Sequence, residues 1–146
     1  MKKIIFLCLI IALIIGSCTQ QKRSPVEGAW KLIFSQSIKG DSVLFKFPGN
    51  FTMSDIKMWS KGYVLYVGRY KRDTTFMDGY GGGPYKLDGN RYEETIQFFS
   101  VQSYVGQTVK MLLEIRNDTL IQTWPADDNG KINKSNFRQE KYIRLD

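Results

Sequence analysis

Residues 91–99 read Arg91-Tyr92-Glu93-Glu94-Thr95-Ile96-Gln97-Phe98-Phe99, and the turn-forming trio Asp88-Gly89-Asn90 stands directly before them. Tyr92, Glu94, Ile96 and Phe98 alternate with Glu93, Thr95, Gln97 and Phe99. A period of two sends successive side chains to opposite faces of a strand, and the trio marks a hairpin corner. The same pattern runs outward in both directions. Trp30, Leu32 and Phe34 alternate with Lys31 and Ser35; Val43, Phe45 and Phe47 alternate with Leu44 and Lys46. Residues 62–70 (GYVLYVGRY) place Val64, Tyr66, Gly68 and Tyr70 on one face. Residues 110–115, 119–124 and 139–145 supply further strands. Ser60-Lys61-Gly62 and Arg116-Asn117-Asp118 lie between alternating runs, and Pro48-Gly49-Asn50 marks another corner. No stretch beyond residue 26 keeps an apolar stripe of helical period over three turns.

These observations predict an all-β fold. Parallel crossovers need about a dozen residues each, and such links are missing. An antiparallel meander of about eight to nine strands closes most readily into a small up-and-down barrel, which removes its edges. A two-sheet β-sandwich is the alternative.

The N-terminal end carries a different message. Met1-Lys2-Lys3 precedes an unbroken apolar run over residues 4–15, followed by Gly16-Ser17-Cys18. A helix over that run is about 18 Å long, too short for a hydrocarbon core of about 30 Å, and it has no polar face. Residues 1–17 therefore read as a removable export signal. Ile15-Gly16-Ser17-Cys18 resembles the lipobox of bacterial lipoproteins. The resemblance implies cleavage before Cys18 and acylation of that cysteine, which ties the protein to a membrane. Residues 18–25 then form the lipidated N-terminus and a polar tether, and residues 26–146 form the domain. Thr19, not Asp, follows the cysteine. By the same resemblance this favours the outer membrane, with the domain facing the periplasm.

Several chemistries drop out. The chain of 146 residues contains no histidine, which removes Ser-His-Asp and Cys-His catalysis and histidine-bound zinc or haem. Cys8 lies in the export signal, so Cys18 is the only cysteine left, with no disulfide partner and no cysteine cluster for a metal. Glu93 and Glu94 are adjacent and point to opposite faces of a strand. Asp127 and Asp128 have no evident partner, and no nucleophile has an identifiable base. An enzyme is not expected, nor is a cofactor or metal. The glycine run at 79–83 lacks phosphate-loop spacing and reads as a strand start or bulge, with Pro84 at an edge. The net charge is +7 and falls to about +5 without Lys2 and Lys3. Its diffuse spread suits anionic envelope surfaces and argues against nucleic acid as a partner.

Gly28-Ala29-Trp30 matches the G-x-W of the first lipocalin strand. Residues 81–94 (GGGPYKLDGNRYEE) resemble a stretch of small lipocalin-like domains in bacterial lipoproteins. The chain is shorter than a typical lipocalin, lacks its disulfide and shows no C-terminal helix. The resemblance implies a small barrel closed at its floor by a late basic residue packed across the first-strand tryptophan. Arg144 and Trp30 are the matching pair.

Aromatic residues make up 14% of the chain, enough to line a ligand cavity. Tyr66, Tyr70, Tyr85, Glu94 and Ile96 are the candidate ligand-binding residues. Glu94 has two readings. It is either a polar anchor at the bottom of a pocket, beside Tyr66 or Tyr85, or a rim carboxylate paired with Arg69 or Arg116. Trp30, Trp59 and Trp124 read as core packing before ligand platforms. The expected function is a lipid-anchored envelope protein that binds a small apolar or amphipathic ligand. The alternative is a non-enzymatic envelope protein–protein interaction module with a filled core, an inhibitor or assembly accessory.

Overall fold

The computed structural model describes residues 24–72 and 74–146. The expected export signal, Cys18 and the expected tether up to Arg23 lie outside the described residues. The strands are β1 (Gly28–Lys39), β2 (Ser42–Phe47), β3 (Thr52–Ser60), β4 (Tyr63–Arg72), β5 (Thr75–Asp88), β6 (Arg91–Thr95), β7 (Phe98–Phe99), β8 (Thr108–Arg116), β9 (Thr119–Trp124) and β10 (Asn136–Arg144). A single 3-10 turn covers Gln102–Tyr104 among the described residues. Every pairing between strands is antiparallel.

Eight strands close a barrel in the order β1, β3, β4, β5, β6, β8, β9, β10 and back to β1. The expected antiparallel barrel is present, and the sandwich is not. β2 pairs with the far half of β1, and β7 pairs with β5, so both lie outside the ring. The hairpins fall at the turn residues. Ser60 pairs with Tyr63, Asp88 with Arg91 and Arg116 with Thr119, each across a two-residue loop. Asn117 carries a positive φ of 52°, a conformation asparagine tolerates better than most residues.

Two strands escape a simple reading of alternation. In β3 the inward residues are Met53, Asp55, Lys57 and Trp59, whereas Ile56 and Met58 face outward. Charges inside and aliphatics outside invert the usual pattern and hide it. In β5 the run Gly81–Gly83 is buried in mid-strand and is no strand start. Pro84 sits where the neighbour of β5 changes from β7 to β6. A side chain on Gly81 would collide with the ring of Tyr66, and one on Gly83 with the backbone carbonyl of Thr95.

The core occupies one end of the barrel. Val26, Trp30, Leu32, Trp59, Val64 and Tyr92 are buried there, with Leu113 and Leu120 from the opposite wall. The Trp30 indole N–H donates to the Val26 carbonyl at 2.9 Å. The Arg144 guanidinium lies 4.2 Å from the Trp30 ring centroid and donates to the carbonyls of Glu27 and Pro25 at 2.9 Å each. A cation over indole contributes about 0.5–2 kcal/mol, and here it also seals the floor. In β1 the register shifts between Leu32 and Phe34. Ile33 is the extra residue, and the bulge moves Ser35 to the inside, where it is fully buried.

Candidate functional site

Above this core the barrel is hollow. A cavity of about 480 Å3 opens at the other end. Its upper wall is aromatic: Phe45, Phe51, Tyr70, Phe99, Tyr104 and Trp124. Phe45 and Phe51 lie 5.3 Å apart, Phe51 and Tyr70 6.2 Å, and Phe99 and Tyr104 5.3 Å. Phe45 belongs to β2 and Phe51 precedes β3, two strands that do not pair with each other, so this contact spans the break between them.

The floor is charged. Asp55 and Lys57 come from β3, Glu94 from β6, and Arg138 and Glu140 from β10. The pleat makes this cluster, because inward residues recur every second position along each strand. Glu140 is the best-supported member. Its carboxylate accepts from Arg138 at 2.9 Å, from the Tyr142 hydroxyl at 2.5 Å and from Ser35 at 3.4 Å, with Lys57 at 3.7 Å. Burial pulls Glu140 toward the neutral form, but Lys57 and Arg138 outweigh it and hold the carboxyl below its ordinary range. The Lys57 ammonium donates to Gln122 at 2.8 Å. It also sits 5.1–6.0 Å from the ring centroids of Tyr66, Tyr142, Trp124 and Trp59.

Asp55 and Glu94 are less well matched. Burial pushes Asp55 up to about 6, with Lys57 opposing and Glu140 adding to the rise. Its Oδ1 has no hydrogen-bond partner. Gly68 on the neighbouring strand gives the carboxylate room, since a Cβ there would lie 2.7 Å from Oδ2. Burial also raises Glu94, against the pull of Lys57. Glu94 accepts a hydrogen bond from the Tyr92 hydroxyl at 3.1 Å. Burial and the Glu94 charge together raise both Tyr66 and Tyr92 far above the ordinary phenol range, so both stay protonated donors.

Of the residues picked from the sequence, Tyr66, Tyr70, Glu94 and Ile96 line the cavity. Tyr85 does not. It stacks on Tyr92 at 5.3 Å, near the floor core. Phe98 is 55% exposed and does not share the inward face of Ile96. The strand breaks after Thr95, where the backbone N–H of Ile96 donates to Gln107 and that of Gln97 to Gly82, so Phe99 takes the inward place. Arg69 and Arg116 are not partners of Glu94. Arg69 pairs with Asp78 at 2.6 Å, and Arg116 pairs with Glu114, both exposed. Glu94 is therefore a buried carboxylate of the cavity and not a paired rim charge.

Asp55, Lys57, Arg138 and Glu140 were not singled out in the sequence. A signal existed for two of them. Once Arg144 is set inward by its match to the floor residue, the pleat carries Arg138 and Glu140 to the same face. Among the described residues, no group of three or more acidic or cysteine side chains is placed to hold a metal ion.

No protein-family model matches the chain, and no curated protein matches it either.

Proposed function

We propose that this protein is a lipid-anchored lipoprotein of the cell envelope, lipocalin-like in kind, whose barrel holds a small amphipathic ligand. The supporting observation is the cavity of about 480 Å3 with an aromatic wall and a charged floor. Small-molecule sites occupy about 300–1,000 Å3 and combine apolar walls with a few placed polar groups. An apolar body fits against Phe51, Tyr70 and Phe99, and a polar head faces Asp55 and Glu94. The open volume supports this reading over an interaction module with a filled core. The function is binding, with no catalytic step. Cys18 is the anchor, and the domain faces the periplasm from the outer membrane.

Native mass spectrometry of the full chain, released from non-ionic detergent, should show a co-purifying small molecule or uptake of an added hydrophobic dye. A spectrum of bare protein with no dye uptake would overturn the ligand reading. Cys18→Ala should release the protein from membranes or stall its processing. Unchanged membrane partitioning of that variant would remove the anchor from the proposal.

A further inference from the structure

The cavity's charges are unequally served. Glu140 collects Arg138 at 2.9 Å, Lys57 at 3.7 Å and two hydroxyls. Lys57 is further spent on Gln122 and enclosed by four rings. Arg138 keeps one unmet donor, Nε, but its charge is paired with Glu140 and lies 4.8 Å from Phe45 and 5.4 Å from Trp124. Arg69 at the rim is neutralised by Asp78 at 2.6 and 2.9 Å. The two cations at the cavity floor, Lys57 and Arg138, thus share one acid, Glu140, and Arg69 at the rim is held by Asp78. Three floor acids face those two cations, and among the described residues Asp55 and Glu94 form no direct ion pair and only share the pull of Lys57. Asp55 has an unpartnered oxygen, and Glu94 is bonded by the hydroxyls of Tyr92 and Tyr66.

We propose that the cavity selects an amphiphile with a positively charged head, an amine or quaternary ammonium, seated between Asp55 and Glu94. The proposal rests on the reading of the barrel as a ligand carrier and names the class of ligand. A bound ammonium supplies the missing partner for both carboxylates, and the nearby aromatic faces attract the same charge. An anionic head would meet these two carboxylates with no free cation to receive it. Binding should then weaken in acid. The groups facing Asp55 are Lys57 on its own strand and Arg138, Glu140 and Tyr142 on β10; those facing Glu94 are Tyr92, Tyr66, Lys57 and Glu140. Asp55 takes up its proton near pH 6 in the empty protein, so a cation loses one of its two anchors below that point.

The test uses three water-soluble probes of one shape on the full chain: 4-phenylbutylamine, 4-phenylbutanol and 4-phenylbutyrate, followed by titration calorimetry. At pH 7.5 the amine should bind at least about tenfold more tightly than the carboxylate, with the alcohol between them, and the gap should shrink at pH 5. Asp55→Asn and, as a second variant, Glu94→Gln should each lower amine affinity by a larger factor than alcohol affinity, so that the gap between the two probes narrows. Equal or tighter binding of the carboxylate overturns the choice of head group and leaves the ligand carrier standing. Failure of all three probes to bind overturns both.

Discussion

Asp55 is a carboxylic acid placed where ionisation is costly, and that has a consequence for stability. Its pKa in the folded chain is about 6, against an ordinary 3.8. The protonated carboxyl supports the fold fully below pH 3.8, and the support is lost as pH rises through about 6. The penalty at neutral pH is roughly 3 kcal/mol, since each tenfold change in proton affinity corresponds to about 1.4 kcal/mol. Asp55→Asn has nearly the same shape and no charge. Urea unfolding should show the variant gaining on the parent by up to roughly 3 kcal/mol between pH 4 and pH 7.5. An identical difference at both pH values would mean that Asp55 is not held as described. None of this was legible from the chain. Asp55 sits in a run, Thr52-Met53-Ser54-Asp55-Ile56-Lys57, whose polar residues look outward-facing until its neighbours on β10 are known. Glu94 was legible in part: Tyr92 and Ile96 flank it on the same face, but the chain left open whether it anchors a pocket or pairs at the rim.

Strand β5 shows how glycines serve an element without ending it. Gly83 lies so close to the Thr95 carbonyl that a methyl group has no place, and the obstacle is backbone. Gly89, in the loop to β6, meets nothing within 4 Å but has a φ of 58°. Gly83→Ala must therefore shift β5 away from residues 95–97, whereas Gly89→Ala bears only the left-handed conformation, a cost of about 1–2 kcal/mol. Thermal unfolding should rank Gly83→Ala well below Gly89→Ala. The reverse order would show that β5 does not approach residue 95 this closely. A reading of Gly81–Gly83 as a bulge or strand start treats glycine as a chain breaker. In this strand close packing of Tyr66 and the backbone of residues 95–97 demands it.

The barrel as a whole divides its stability unevenly. Trp30, with no exposed surface, joins the floor to Val26 and Arg144, so Trp30→Ala should cost about 3–5 kcal/mol. Leu65 and Val67 point outward from β4 and are 52% and 53% exposed. Replacing both with Thr should change stability by only about 0.5 kcal/mol each, because neither contributes to the interior. Chemical denaturation of the three proteins measures the contrast, and comparable losses would place the core elsewhere.

Alternation with period two, short Gly and Asn turns and the absence of crossover lengths were enough to specify an antiparallel all-β fold, because they depend on neighbours along the chain, and they favoured a barrel over a sandwich without deciding between them. The Trp30–Arg144 floor followed from the resemblance to the first lipocalin strand, and local parity placed Glu94 on one face with Tyr92 and Ile96 without deciding between a pocket anchor and a rim charge. The charged cluster as a whole followed from neither. Asp55, Lys57, Glu94 and Glu140 are separated by as many as 85 residues in the chain, and ring closure between β1 and β10 brings them to one floor. Whether the interior would be filled or hollow was equally undetermined, because it depends on how far side chains from eight strands reach toward one another, a distance that no single strand encodes.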